Sequence, residues 1–212
     1  MASSRVSIVT SFLLLALCGL PGARAQAGDI EEMQTVSSPF ERGGLELQLA
    51  AGFFVSENYH DPLRPQMNDV DASVRLGWML YSPAGPSILR GNVEVVAELF
   101  GGGFVRGPAD LLGGTTIFIR YNYVQPAARF VPYIQVGGGG AYSDASQKQP
   151  QRALGSAVSF NLQVGLGVRF FCSDKSAVFL EFDYRHLSNA GLAERNLGLN
   201  SGGSWLGASL FF

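Results

Sequence analysis

From Gly44 to Val55 apolar side chains take every second position, as Leu45, Leu47, Leu49, Ala51, Phe53 and Val55, with Glu46 and Gln48 between them. A period of two marks a strand with unlike faces. The pattern returns along the whole chain. Val70, Ala72, Val74, Leu76, Trp78 and Leu80 alternate with Asp69, Asp71, Ser73 and Arg75. Val93, Val95, Ala97 and Leu99 stand against Glu94 and Glu98, and Ile117, Ile119, Tyr121 and Tyr123 against Arg120 and Asn122. A fifth segment runs from Val131 to Ser143. The sixth sets Val158, Phe160, Leu162, Val164, Leu166, Val168 and Phe170 against Ser159, Asn161, Gln163, Gly165, Gly167 and Arg169. The seventh sets Val178, Leu180, Phe182 and Tyr184 against Glu181, Asp183 and Arg185, and the eighth carries Leu206, Ala208, Leu210 and Phe212.

Segments of about ten residues or more match the length a tilted strand needs to cross a bilayer. A soluble sandwich is the alternative, and three features weigh against it. The apolar stripe continues without interruption, the opposite face is polar or glycine with both signs of charge, and Phe212 closes the apolar face in a way that resembles the C-terminal recognition signal of outer-membrane barrels. An even, closed set of antiparallel strands pairs every backbone polar group within the membrane. The predicted fold is therefore all-β, a transmembrane eight-stranded antiparallel up-and-down β-barrel over residues 44–212. An eight-stranded interior is just wide enough for side chains, so a pore is not expected. Glu46, Asp71, Arg75, Glu94, Glu98, Arg120, Arg169 and Glu181 are expected to pair in that lumen, because an unpaired buried charge is costly.

The connections near residues 81–90, 125–130 and 172–175 are shorter or richer in proline, whereas those near 56–68, 100–113, 144–156 and 189–203 are longer. Short periplasmic turns and longer external loops are the expected asymmetry. On that basis strand seven runs outward, and His186 to Ser188 lie near the external surface.

Composition and charge refine this picture. Arg5, the apolar stretch Val6–Leu20 and the triplet Ala23-Arg24-Ala25 read as a secretory signal over residues 1–25, with residues 26–43 as an N-terminal segment before the barrel. A lipoprotein signal would need a small residue before Cys18, where Leu17 stands. Without residues 1–25 the chain has 187 residues, 13 basic and 17 acidic, a net charge of −4 that argues against a nucleic-acid partner. Cys172 is then the one cysteine, so no internal disulfide is expected. Beyond the signal no run of eighteen apolar residues suggests a membrane helix. Gly137–Gly140 lacks the Gly-Lys-Ser/Thr of a phosphate loop, His60 reads as a loop residue, and no cluster has metal-ligand spacing, so neither cofactor nor metal is predicted.

His186 and Ser188 continue the lipid-facing parity of Leu180, Phe182 and Tyr184. Two residues apart on one strand face, their Cα atoms lie roughly 6.6 Å apart, within reach of an imidazole leaning along the strand. A serine hydroxyl is a poor nucleophile until a neighbouring base takes its proton, and His with Ser is the smallest set that does this. Taken alone, the pair also fits two polar residues at headgroup level.

The segment His186-Leu187-Ser188-Asn189-Ala190-Gly191, followed by Asn196-Leu197-Gly198-Leu199-Asn200, resembles the signature of the lipid A 3-O-deacylase (PagL) family of outer-membrane esterases. The resemblance implies a carboxylic ester hydrolase that removes the acyl chain at the 3 position of lipid A in lipopolysaccharide. By the same resemblance Ser188 is the nucleophile, His186 the general base and Asn196 an oxyanion residue, with a backbone amide at Asn189 or Gly191 as a second donor. Family members carry a glutamate that orients the histidine, and Asn200 stands at that position here. An amide can accept the imidazole N–H but brings no full negative charge. Glu194, the one carboxylate in the adjacent loop, is the other candidate.

The partners implied are lipid A in the outer leaflet and the outer membrane itself, and a homodimer is among the assemblies open to such a barrel. The rival from another class is a structural or adhesive small barrel, which needs no ordered His-Ser pair. A palmitoyl-transferring barrel would call for an amphipathic helix before the first strand, which residues 27–43 do not supply.

Overall fold

The computed structural model describes residues 38–148 and 150–212. The expected signal peptide and most of the segment before the barrel lie outside the described residues. The period-two segments form strands β1 (Leu45–Ser56), β2 (Asn68–Met79), β3 (Asn92–Arg106), β4 (Leu111–Asn122), β5 (Phe130–Ser143), β6 (Val158–Ser173), β7 (Ser176–Ser188) and β8 (Leu199–Phe211). Each strand pairs antiparallel with its neighbour in sequence, and β8 returns to β1 to close the barrel. Closure leaves no sheet edge, so no strand presents unpaired backbone groups to lipid.

The two faces separate as the alternation requires. Leu76, Trp78, Ile117 and Leu162 are each more than half exposed, in a continuous apolar band that is tolerable on the outside only against lipid. Inside, four fully buried arginines each meet carboxylates. Arg75 reaches Glu98 and Glu181 at 2.8 Å, and Arg169 reaches Glu46 at 2.5 Å and Glu94 at 3.1 Å. Arg120 lies 3.6 Å from Glu46, Glu94 and Glu181, and Arg185 holds Asp69 and Asp71 at 2.6 and 2.8 Å. All eight residues expected in the lumen enter this network, joined by Arg185 and by two further carboxylates, Asp69 and Asp183; Asp183 accepts the indole N–H of Trp205. At the end of the barrel where β1 begins and β8 ends, Phe40 tucks inside against Phe171 and Phe211.

Two connections differ from expectation. The stretch 100–113 is mostly strand, because Gly101–Gly103 of β3 pair with Gly113, Leu112 and Leu111 of β4, leaving only 107–110 as a turn. Glycines pair through the backbone yet leave no side-chain alternation in the sequence. The segment 199–203, expected to belong to a loop, opens β8 for the same reason: Gly202 and Gly203 pair with Tyr184 and Asp183. The alternation of loop lengths is correspondingly imperfect. The connection 80–91, at the end where β1 begins, is longer than the turn 107–110 at the other end.

Candidate active site

The early start of β8 brings the candidate residues together. In the β7–β8 ladder His186 lies directly opposite Asn200, both on the outer face, where side chains of an antiparallel pair meet. His186 Nδ1 and Asn200 Oδ1 are 2.6 Å apart. Ser188 follows on the same face, half-exposed and opposite Phe160 of β6. The hydrogen bonds of His186 do not include one to Ser188; such bonds commonly close only when substrate is bound.

The far side of Asn200 meets residues that had not been singled out. Its Nδ2 donates to Glu57 Oε2 at 3.1 Å and to the Tyr59 hydroxyl at 2.8 Å. Tyr59 in turn donates to Glu57 Oε2, and the Tyr184 hydroxyl donates to Glu57 Oε1 at 2.8 Å. Donation from Asn200, and then from Tyr184, holds the Glu57 carboxyl below the ordinary carboxylate range. Glu57 comes from the connection after β1, and its backbone N–H donates to Asn200 O at 2.9 Å across the barrel closure. A search along the sequence near His186 finds Glu194 and misses Glu57. The signal that finds it is topological, since β1 and β8 must be neighbours in a closed barrel.

Glu194 is exposed and lines a separate cleft with Leu63, Pro150, Arg152, Gly155 and Arg195. Of the two expected partners for the imidazole, the fold therefore brings Asn200 to it.

Asn196 and Asn189 meet each other. The Asn189 backbone N–H donates to Asn196 Oδ1 at 2.8 Å, which fixes the amide orientation and leaves Asn196 Nδ2 as its donor. The Asn189 side chain donates to Arg195 O and accepts from the Gly191 N–H, both at 3.0 Å. The amides of Asn189 and Gly191, expected as a second oxyanion donor, thus already have acceptors, because the chain turns back on itself at Ala190 and Gly191, both at positive φ.

The loops around the site are laced together. Arg64 Nε donates to Gly198 O at 3.2 Å while its guanidinium sits over the Tyr59 ring, and Leu197 and Gly198 donate to Arg152 O and Ala153 O. Gly198 adopts φ +73°, and a Cβ there would stand 3.1 Å from His186 Cε1. Toward the bilayer the floor is apolar: Phe160 and Leu162 lie beside Ser188 and His186, and Val164, Leu166, Phe182 and Tyr184 border a shallow groove along the outer wall. A polar pair over such a floor suits a substrate with a polar reacting group and a hydrocarbon tail.

A family model described as lipid A 3-O-deacylase (PagL) matches residues 72–208. That span holds His186, Ser188, Asn196 and Asn200 and leaves out Glu57 and Tyr59. No curated protein sequence matches the chain. Among solved structures, the outer membrane enzyme PagL is similar at 18% identity, over 74% of this chain and 97% of that one, with a TM-score of 0.49. Neisserial surface protein A is similar at 13% identity, over 80% and 98%, with a TM-score of 0.52. The N-terminal β-barrel domain of Pseudomonas aeruginosa OprF is similar at 13%, over 81% and 98%, with a TM-score of 0.51. The last two likenesses speak to the fold alone, that of a small closed β-barrel.

Proposed function

The chain belongs to the lipid A 3-O-deacylase (PagL) family of outer-membrane esterases, and from that premise we propose that it hydrolyses the acyl ester at the 3 position of lipid A by a serine mechanism on its lipid-facing wall. The observation that carries this reading is the hydrogen bond from His186 to Asn200. Asn200 presents its oxygen to the ring because its Nδ2 is committed to Glu57 and Tyr59. His186 Nδ1 must then carry the proton, and Nε2 keeps the lone pair a general base needs.

In this reading His186 Nε2 takes the proton of the Ser188 hydroxyl as Oγ attacks the ester carbonyl carbon. The carbonyl oxygen becomes an oxyanion that accepts from Asn196 Nδ2, with Asn189 holding that amide in place. The intermediate collapses by breaking the bond to the sugar oxygen, which receives the proton from His186. Water, activated by the same imidazole, then frees the acyl group from Ser188. A preorganised oxyanion donor contributes on the order of 3 kcal/mol to lowering the barrier. The outward parity of the site fits this substrate, whose acyl chains already occupy the outer leaflet.

The test is mass spectrometry of lipid A from cells expressing wild type or Ser188→Ala. Wild type should produce lipid A lacking one 3-hydroxyacyl group, and Ser188→Ala should not. No loss with wild type, or equal loss with both, overturns the reading in favour of a structural barrel.

A further inference from the structure

We propose that Glu57 is the acid of this site, acting one hydrogen bond removed: it is a positioning residue that locks the Asn200 amide and, through it, the tautomer of His186. The inference rests on the reading of His186 as general base.

An asparagine beside a catalytic histidine has two orientations of opposite effect. With its oxygen toward the ring it accepts from Nδ1–H and leaves Nε2 free. With its NH2 toward the ring it donates to Nδ1, places the proton on Nε2 and disables the base. Substituting amide for acid in a serine triad costs around 10⁴ in rate for this reason. Here three contacts forbid the second orientation. The Glu57 carboxylate is acceptor-only and takes one N–H of Asn200 at 3.1 Å. The Tyr59 hydroxyl spends its own proton on Glu57, so toward Asn200 it can only accept, at 2.8 Å. Tyr184 donates to the other carboxylate oxygen at 2.8 Å and keeps Glu57 from turning away. A flipped Asn200 would lose both donations and set its carbonyl oxygen against a carboxylate and a phenol oxygen.

The groups facing Glu57 are accounted for on every side. Tyr59 and Arg64 come from the connection after β1, Tyr184 and, through Asn200, His186 from β7 and β8. None of the hydrogen bonds requires a proton on the carboxylate, and the Asn200 and Tyr184 donations hold it ionised at neutral pH. A negative charge thus stands one hydrogen bond behind the amide that faces the imidazole, contributed by the chain after β1 and relayed by Asn200.

The test moves the charge. With 15N-labelled histidine in the full-length folded protein, His186→Gln assigns the ring signals between the two histidines of the chain. Neutral wild type should show Nδ1 protonated and Nε2 bare. Glu57→Gln, which can both donate and accept, should give a mixture of tautomers and lower kcat about tenfold with little change in KM, the lower end for a lost charge-assisted hydrogen bond because Glu57 is exposed. Adding Asn200→Asp to Glu57→Gln puts a carboxylate next to the ring and should restore both the single tautomer and most of the rate. A merely structural Glu57 would not be rescued by a charge at position 200. An unchanged tautomer in Glu57→Gln overturns the inference whatever the rate does, and so does failure of Asn200→Asp to rescue it. If wild type releases no acyl chain yet the tautomer follows Glu57, the esterase reading fails and the positioning role stands.

Discussion

Gly198→Ala separates the contact that places the imidazole from the fold that carries it. Gly198 sits at φ +73°, so any other residue there costs on the order of 1 kcal/mol in backbone strain. The new Cβ would also stand 3.1 Å from His186 Cε1 and 3.4 Å from Leu187 O, where carbon contacts normally settle at about 3.5–4.0 Å. Gly198 itself cannot retreat easily, being tied by its N–H to Ala153 O and by its carbonyl to Arg64. The ring must give by several tenths of an ångström. Its Nδ1 corner is held by Asn200 at 2.6 Å, so the displacement falls on the Cε1–Nε2 edge, the edge proposed to act as base. A misplacement of about 1 Å can cost 10²-fold, which scales to roughly tenfold for a shift of this size.

The assay is the rate of release of 3-hydroxy fatty acid from lipid A by protein folded in detergent micelles. Heat-dependent gel mobility of the barrel checks folding. Gly43→Ala is the control, because Gly43 has φ +87° and its added Cβ would meet nothing within 4 Å. Both variants should fold with a similar small loss of stability, and only Gly198→Ala should lose rate. Equal rates for the two would refute the claim that this contact sets the imidazole.

Two further outcomes concern the scaffold. Arg169→Met leaves Glu46 and Glu94 buried without their nearest cation and should destabilise the barrel by about 3–5 kcal/mol in urea unfolding from vesicles, an effect reduced when Glu46→Gln is added. Asp144, just past β5, accepts the backbone N–H groups of Leu111 and Asp110 and faces Lys148; the Leu111 N–H above all, then those of Asp110 and Lys148, hold its carboxyl below the ordinary range. Its contribution is therefore present at neutral pH and is lost as pH falls through that depressed value. Asp144→Asn should loosen the outer loops at pH 7, read by limited proteolysis, with the difference from wild type vanishing in strong acid.

How much of this could be seen in the sequence follows from which residues carry alternation. Where bulky apolar residues alternate with charges, as from Val158 to Phe170, the strand, its facing and its membrane environment are all legible, since one face must meet lipid and the other must pair its charges. Where both faces are small, as at Gly101–Gly103 and Gly202–Gly203, the backbone ladder continues but the side chains say nothing. Asn200 was thereby expected outside the strand that holds it. His186, Ser188 and Asn196 could be proposed together from the sequence because they lie within one short stretch. Glu57 was not, because it is 143 positions from Asn200 in the chain and reaches it only through the closure of β1 on β8.

That closure explains how a site on the outer wall stays ordered. His186 is flanked along β7 by Arg185 and Leu187, whose side chains point inward, and Arg185 is clamped to Asp69 and Asp71 of β2. The backbone of β7 is paired on both sides, to Leu162 of β6 and to Asn200 of β8, so the imidazole projects from a strand fixed by the lumen network. Alternation gives one strand both tasks: inward residues supply rigidity and the outward ones between them carry the polar groups. Sites on rigid elements hold their geometry better than sites on loops. Here the loops need only contribute the second layer, Glu57 and Tyr59 behind Asn200 and Gly198 against the ring, while the face toward the bilayer stays open for a lipid to approach from the side.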